Sequence, residues 1–197
     1  MARAAGLDMD VIVSAALRIV DADGLDGLTM RRVSAALGVT AMALYHHVDG
    51  KERLLDLVVD QSLTALPMIE DDVRDFFIAL HRMLVARPAL AQAMAARPLE
   101  GPVATAAAER ALAALRRSGF NDDQAANTFV SMFSYTLGAS LYRISRTPLR
   151  ATGEFPGVDA DRTPAVHRVR RTLAASATDE QRFRRVLDTL LAGEPPH

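Results

Sequence analysis

A tyrosine and two adjacent histidines occur together in residues 40–47, which read TAMALYHH. Such a cluster can bind a metal ion, accept a proton in catalysis, or contact a polyanion. Adjacent residues of a helix point in different directions, so His46 and His47 cannot both ligate one metal ion. The chain has no cysteine, and the HExxH spacing of zinc enzymes is absent. We therefore expect no metal site here and favour contact with a polyanion.

Catalytic motifs are not evident elsewhere in the sequence. It contains no recognisable pair of nucleophile and base, no glycine-rich phosphate loop and no cluster of metal ligands. The sequence thus predicts a protein that is not an enzyme and needs no cofactor. A small helical enzyme stays the least favoured alternative, and His81 is the residue that would test it.

Charge limits how a polyanion can be bound. The net charge of −1 argues against binding nucleic acid by bulk electrostatics. Between residues 29 and 53, however, four basic side chains outnumber two acidic ones, and both histidines of the cluster lie in this stretch. Binding would therefore be local and would depend on geometry.

Length and hydropathy set the general class of protein. Half of the 197 residues are hydrophobic, which is enough for a substantial core. No secretory signal and no apolar run of the ~18 residues that span a membrane are visible. We expect a cytoplasmic protein.

The elements that position the cluster are predicted to be helices throughout. Glycine and proline fall between segments of helical periodicity, and no stretch alternates like a half-buried strand. Asn121 and Gln124 resemble a capping box, and Gly119 suits a left-handed helix end. Pro67 marks the expected boundary between a small bundle and a larger one. The predicted helices cover about 9–24, 30–37, a short segment after Thr40, 51–66, 70–86, 88–96, 102–117, 122–146, 164–175 and 179–192, with a long loop at 147–163.

Residues 28–48, LTMRRVSAALGVTAMALYHHV, have the pattern of a helix-turn-helix unit. Two short helices, capped by Thr29 and Thr40, are joined through Gly38. Small Ser34 lies four residues before this glycine, where the two helices must approach closely. Leu44 supplies an apolar anchor at the offset that the motif requires. The same pattern also suits any tight helical pair.

The match extends to a known family. Residues 8–66 resemble the DNA-binding domain of the tetracycline-repressor (TetR) family of transcription regulators. The resemblance rests on LTMRRVSAALGV (28–39), ALYHHV (43–48) and GKERLLDLVVD (50–60). It implies an all-α protein with a three-helix DNA-binding domain at 1–50, a connecting helix at 51–66, and a ligand-binding and dimerisation bundle at 67–197. The implied function is a homodimeric repressor that binds a palindromic operator and releases it when a small molecule binds.

Helical geometry distinguishes the outward side chains of the second helix. With Leu44 inward, Met42 and His46 point most directly outward, Ala43 and Tyr45 flank them, and His47 lies nearer the packed edge. In a recognition helix, Ala41 and Met42 would face base edges, and Met42 suits a thymine methyl group. The Thr40 end of the helix favours a phosphate.

Further DNA contacts follow only from the resemblance. Tyr45 and His47 match family positions that hold the DNA backbone, and His46 matches a variable position. Arg31 matches a position that reaches a base or phosphate, while Thr29 and Lys51 match phosphate contacts. The alternative is that the cations are merely solvated and Tyr45 only covers the core. The predicted DNA-contact set is Thr29, Arg31, Thr40, Ala41, Met42, Ala43, Tyr45, His46, His47 and Lys51.

The family places its ligand pocket in the second bundle. Aromatic and methionine side chains there suit an adaptable apolar pocket, with His81 and Gln92 as polar anchors, although ordinary core packing explains their spacing equally well. The magnesium-chelating arrangement of the tetracycline binder cannot be traced here, so the effector stays unknown. The candidate ligand-binding residues are Phe76, Phe77, His81, Met83, Gln92, Met94, Phe129, Met132, Phe133 and Tyr135.

Dimerisation would resemble the family's four-helix bundle. The best segments are 127–144, where Gly138 and Ala139 allow close approach, and 183–191. The alternative is that the last helix packs only within its own chain.

A second alternative function is a module that binds a small molecule or a partner protein and has no DNA role.

Overall fold

A computed structural model describes residues 7–70, 72–146, 158–176 and 180–193. Within these residues the chain forms ten α-helices and one short 3-10 helix at Leu63–Ala65, which confirms the all-α prediction. The predicted loop at 147–163 is described only from residue 158 onward. The α-helices are α1 (Met9–Gly27), α2 (Met30–Leu37), α3 (Ala41–Tyr45), α4 (Lys51–Ser62), α5 (Val73–Ala86), α6 (Pro88–Ala96), α7 (Pro102–Arg117), α8 (Asp122–Arg146), α9 (Pro164–Ser176) and α10 (Glu180–Ala192).

Helices α2 and α3 form because their ends are capped as the sequence predicts. The hydroxyl oxygens of Thr29 and Thr40 accept the backbone N–H groups of Arg32 and Ala43, both at 3.2 Å. Gly38 adopts φ +66 between the helices, a left-handed conformation that a residue with a Cβ rarely takes. Leu44 is fully buried against the first helices, and this anchor fixes which side of α3 faces solvent.

The larger bundle is centred on the long helix α8, which packs along α5, α6, α7 and α10. Its start is the predicted capping box. The Asn121 side chain accepts the Gln124 backbone N–H at 2.9 Å, and the Gln124 side chain accepts the Asn121 backbone N–H at 3.0 Å. Helix α7 ends as predicted too, with Gly119 at φ +99 and the Phe120 N–H bonded to the Leu115 carbonyl at 3.2 Å. None of the described helices combines the length and apolarity needed to cross a membrane.

A buried carboxylate joins α4 to the start of α7. The two oxygens of Asp60 accept the backbone N–H groups of Val103 and Ala104 at 3.2 and 2.8 Å, and only 8% of the residue is exposed. These N–H groups belong to the first turn of α7, where backbone N–H groups have no carbonyl partner within the helix. The positive end of the helix dipole also favours a negatively charged group there. Asp60 therefore caps a helix that starts more than forty residues later in the chain.

Gly101 is what lets Asp60 approach so closely. A Cβ placed on Gly101 would lie 2.2 Å from the Asp60 carboxylate, although its own backbone has an ordinary extended conformation. The requirement for glycine is thus one of space and does not come from φ.

We predict that Gly101→Ala lowers the free energy of unfolding by about 1–3 kcal/mol, the usual effect of adding a methyl group where no space exists. Urea unfolding of a double-mutant cycle checks the cause. In an Asp60→Ala background the added methyl group meets no carboxylate, so the loss should shrink markedly. An equal loss in both backgrounds would mean that the Asp60 contact is not the reason for this glycine.

Candidate nucleic-acid interface and effector cavity

The outward side of α3 is the most exposed apolar surface of the N-terminal helices. Met42 is 68% exposed and Tyr45 50% exposed, whereas Leu44 between them is fully buried. Ala41 and His46 are exposed as well, and Ala43 is half-buried. The predicted outward direction of Met42 and His46 is therefore correct. Exposed apolar side chains that lie together on one surface, as Met42 and Tyr45 do on α3, indicate a contact surface.

His47 does not lie where helical geometry predicted it. The sequence analysis put it nearer the packed edge, but its side chain is exposed. The prediction was wrong because α3 ends at Tyr45. The His47 N–H bonds to the Leu44 carbonyl at 3.0 Å in a tighter turn, so the angular spacing of an α-helix no longer applies. As a result Tyr45, His46 and His47 all reach solvent from one short segment.

The two adjacent arginines of α2 have different surroundings. Arg32 forms an ion pair with Asp23 and donates to the Gly27 carbonyl at 3.2 Å, so its guanidinium is held against α1. The neighbouring Arg31 is exposed, and no ion pair to its side chain is found among the described residues. Arg31 is thus the arginine of this pair that can extend toward a ligand beside α3.

Lys51 has a partner within the chain. Its Nζ donates to the Leu25 carbonyl at 3.0 Å, at the end of α1, and the residue is half-buried. A lysine ammonium has three N–H groups, so two remain for a phosphate. The hydroxyl groups of Thr29 and Thr40 likewise accept a backbone N–H and keep their own hydrogen for donation.

No three metal-ligating side chains converge among the described residues, so the His46–His47 pair has no acidic or histidine neighbour that would complete a site.

The larger bundle, together with Leu63, forms a half-open apolar cavity of about 250 Å³, here called the aromatic cavity. Four of the predicted ligand-binding residues, Phe76, Phe77, Phe129 and Phe133, line it. The rings of Phe76 and Phe77 meet edge to face with centroids 5.5 Å apart, and Phe77 and Phe129 are tilted at 6.0 Å. The other lining residues are Leu63, Leu80, Arg97, Pro98, Leu99, Ala104, Ala107 and Ala108.

The remaining predicted ligand-binding residues lie outside this lining. Met94 and Met132 are buried in the core, Met83 packs against it, and Gln92 is exposed on α6. The residues of the lining that were not predicted are Leu63, Leu80, the segment 97–99 and the alanines of α7. Two features of the sequence could have indicated the segment and the alanines: Pro98 and Gly101 between two helices, and the alanine-rich start of α7. Small side chains leave room for a cavity beside a packed helix.

His81 and Tyr135 instead form a three-ring stack with Phe183 of α10. The ring centroid of Phe183 lies 4.1 Å from that of His81 and 5.3 Å from that of Tyr135. The Nδ1 atom of His81 is 2.8 Å from Ser140 Oγ, and that hydroxyl donates to the Thr136 carbonyl at 2.7 Å. Because the hydroxyl has one hydrogen, His81 must donate its Nδ1–H to Ser140. Burial, with a smaller contribution from Arg143, lowers the pKa of His81 to about 4.

A second, polar cavity of about 460 Å³ lies between α4 and the segment that joins α6 to α7. Its charged lining residues are Arg53, Asp56, Asp60, Arg97 and Glu100. It shares residues 97–99 and Ala104 with the aromatic cavity, so this segment separates the two. Arg97 donates from Nε to Asp56 at 2.6 Å and from Nη1 to Glu52 at 2.5 Å, and these bonds raise its pKa. The wall of the aromatic cavity is thereby fastened to α4.

Comparison with known proteins gives matches along nearly the whole chain. Residues 12–58 match the family described as "Bacterial regulatory proteins, tetR family", and residues 69–194 match the "Tetracyclin repressor-like, C-terminal domain". The HTH-type transcriptional repressor DrrR1 of Streptomyces coeruleorubidus is 36% identical over 142 residues, which are 68% of this chain and 53% of DrrR1. The chain thus spans little more than half the length of this relative. The tetracycline repressor class D of Escherichia coli is 27% identical over 199 residues, or 96% of this chain and 89% of that protein.

Among solved structures, the chain resembles the Streptomyces coelicolor TetR family protein ActR in its complex with (S)-DNPA. The TM-score is 0.84 at 30% identity, covering 95% of this chain and 96% of ActR. The ActR complex with actinorhodin gives the same TM-score at 29% identity, covering 95% of each chain. Both the fold and the arrangement of the two bundles therefore match a protein solved with small molecules bound.

We predict that His81 makes stability depend on pH. In the unfolded chain the imidazole takes up a proton as the pH falls below about 6.5, whereas in the folded chain it does so only near 4. The free energy of unfolding should therefore decrease by up to about 3 kcal/mol as pH falls through this window. His81→Asn, which keeps a hydrogen-bond donor near the position of Nδ1, should not show this loss of stability at low pH.

Chemical denaturation of both proteins at about pH 7 and about pH 4 measures the difference. His81→Asn should have a lower free energy of unfolding than the wild type at about pH 7. The difference between the two free energies should become smaller at about pH 4. Parallel pH dependence in the two proteins would show that the imidazole is not kept neutral by the fold.

Proposed function

Because this chain belongs to the TetR family of bacterial regulators, we propose that it is a transcriptional repressor that binds a palindromic operator as a homodimer and is released by a small molecule. The observation that carries the proposal is the outward face of α3, where Met42, Tyr45 and His46 lie in solvent beside the exposed Arg31, which forms no ion pair with the residues that the structure describes. An apolar helix face flanked by an exposed guanidinium fits the major groove, which offers thymine methyl groups and guanine acceptors.

We assign base contacts to the first turn of α3 and to Arg31. Ala41 and Met42 present apolar groups suited to thymine methyls, and the arginine fork suits the O6 and N7 atoms of guanine. His46 can donate to a base or to the backbone. Arg32 is excluded from this set because Asp23 and the Gly27 carbonyl hold it against α1.

Contacts with the DNA backbone are assigned to groups around this face. The exposed Tyr45 and His47 flank the helix end, while Thr29, Thr40 and Lys51 keep donors available after their contacts within the chain. Such contacts fix the register of the helix in the groove and carry no sequence information. With so few cations, affinity must come from fit as much as from charge.

Dimerisation is proposed through α8 and α10. Residues 130, 134, 138 and 142 of α8 are all exposed and follow one another at the four-residue spacing that forms a stripe along a helix. Val130 is 59% exposed and Tyr142 47% exposed, and Gly138 between them carries no side chain. A second copy packing there would bury this stripe, and a dimer with a two-fold axis matches the symmetry of a palindrome.

The small molecule is proposed to bind in the aromatic cavity. Its volume of about 250 Å³ and its four phenylalanines suit a compact apolar ligand. Its wall is fastened to α4 through Arg97, and α4 packs on α1 of the DNA-facing bundle. A ligand that moves the segment 97–101 would therefore shift α4 and, with it, the position of α3.

We predict that the purified chain prefers DNA from around its own gene over shuffled DNA of the same composition by about a thousandfold at moderate salt. Fluorescence anisotropy with both duplexes measures the ratio, and affinity for both should fall as salt is raised. Equal affinity for the two duplexes would support the alternative of a ligand-binding module without a DNA role, unless a corepressor restores the preference.

We also predict that Tyr45→Ala weakens binding to the preferred duplex roughly ten- to hundredfold, because it removes a hydrogen bond to phosphate and the ring that packs on the backbone. Tyr45→Phe keeps the ring, so its affinity for the duplex should lie between that of Tyr45→Ala and that of the wild type. Arg110→Ala, an exposed change on α7, is the matched control and should bind normally. Unchanged affinity of Tyr45→Ala would remove this residue from the interface.

A further inference from the structure

Among the residues that the structure describes, Arg97 is the one charged residue in the lining of the aromatic cavity. The other eleven lining residues are phenylalanine, leucine, alanine or proline, none of which has a polar side chain. Any polar group on a ligand bound there can therefore be matched by a side chain only at Arg97. A guanidinium donates hydrogen bonds and accepts none, so the matching group must be an acceptor.

The guanidinium of Arg97 is already engaged, but not fully. Nε bonds to Asp56, Nη1 to Glu52 Oε2, and Nη2 to the Glu52 carbonyl at 3.2 Å. These three bonds use three of its five N–H groups. Its side chain is 19% exposed and lies at the edge of the polar cavity. Arg97 can thus receive another acceptor, in competition with the two carboxylates of α4.

The shape of the cavity restricts the rest of the ligand. Phenylalanine rings from α5 and α8 face the small Ala104, Ala107 and Ala108 of α7, which leave space without projecting into it. Phenylalanine rings gain most from another flat ring, stacked or edge-on. A compact aromatic body fits this space better than a branched aliphatic one.

We propose that the effector is a flat aromatic acid whose anionic group binds Arg97. This inference rests on the proposed ligand-responsive function and adds the chemical class of the ligand. The anion competes with Asp56 and Glu52 for the same guanidinium and repels both carboxylates. The charge of the ligand therefore loosens the contact between Arg97 and α4, whereas its aromatic body supplies most of the affinity.

A cation is disfavoured at the same place. It would meet the positive charge of Arg97 and would find no acceptor side chain in the aromatic lining. A neutral aromatic molecule of the same shape should bind, but it leaves the ion pairs of Arg97 with α4 intact. The charge of the ligand thus decides its effect: neutral aromatic molecules should occupy the cavity without releasing DNA, whereas anionic ones should release it.

Titration calorimetry with naphthoic acid and its neutral amide tests the proposal without DNA. The acid should bind the wild-type chain about tenfold or more tightly than the amide, the usual effect of a charge-assisted bond. Arg97→Gln should abolish this preference, and Arg97→Lys, which keeps the charge but not the fork, should retain part of it. Arg53→Gln is the matched control, because Arg53 lines only the polar cavity.

Equal affinity for acid and amide, or an unchanged preference in Arg97→Gln, would overturn the assignment to Arg97. Circular dichroism of each variant excludes unfolding as the cause of a loss. Failure of both compounds to bind at about millimolar concentration would overturn the cavity as a site for flat aromatic ligands.

A second measurement keeps this proposal separate from the proposed function. At equal occupancy of the cavity, the acid should weaken binding of the preferred duplex and the amide should not. If the chain binds no DNA, the proposed function fails, and the calorimetric preference still decides the role of Arg97. If acid and amide release DNA equally, the competition with Asp56 and Glu52 is refuted.

Discussion

The carboxylate of Asp60 and the guanidinium of Arg97 hold the two bundles together at α4. Asp60 is buried and caps the first turn of α7, while Arg97 reaches back to Glu52 and Asp56 on the same helix. A buried charge is costly unless it is paired or hydrogen-bonded, so the larger bundle cannot shift along α4 without breaking these bonds. The position of α4, and with it the orientation of the DNA-facing helices, therefore depends on the segment 97–101.

This arrangement explains why an apolar cavity and an exposed helix some distance away belong to one mechanism. The segment 97–99 is a wall of the aromatic cavity on one side and of the polar cavity on the other. A ligand in the proposed site would contact the same residues that α4 contacts from the other side. Coupling of this kind needs only that the ligand prefer one position of the segment.

Much of the helix-turn-helix unit formed by α2 and α3 was predictable from sequence because its constraints are local. Caps at Thr29 and Thr40, the left-handed Gly38 and the buried Leu44 each act within a few residues, and the structure has all four. His47 was misplaced because the prediction continued α-helical spacing through residue 47, whereas α3 ends at Tyr45 and the chain continues in a tighter turn. The cavity was only half predicted, since its phenylalanines follow helical periodicity, whereas the approach of residues 97–99 depends on a long-range contact with α4. The individual DNA contacts and the domain boundaries stay predictions.

The most direct test of the central claim, that the α2–α3 face reads DNA sequence as part of a dimer, is selection of binding sites from a pool of random duplexes with the full chain. We expect enrichment of one pseudo-palindrome, with thymines and a guanine in each half-site and half-sites one helical turn or a little more apart. Recovery of sequences without any shared motif, at a salt concentration that suppresses non-specific binding, would contradict it.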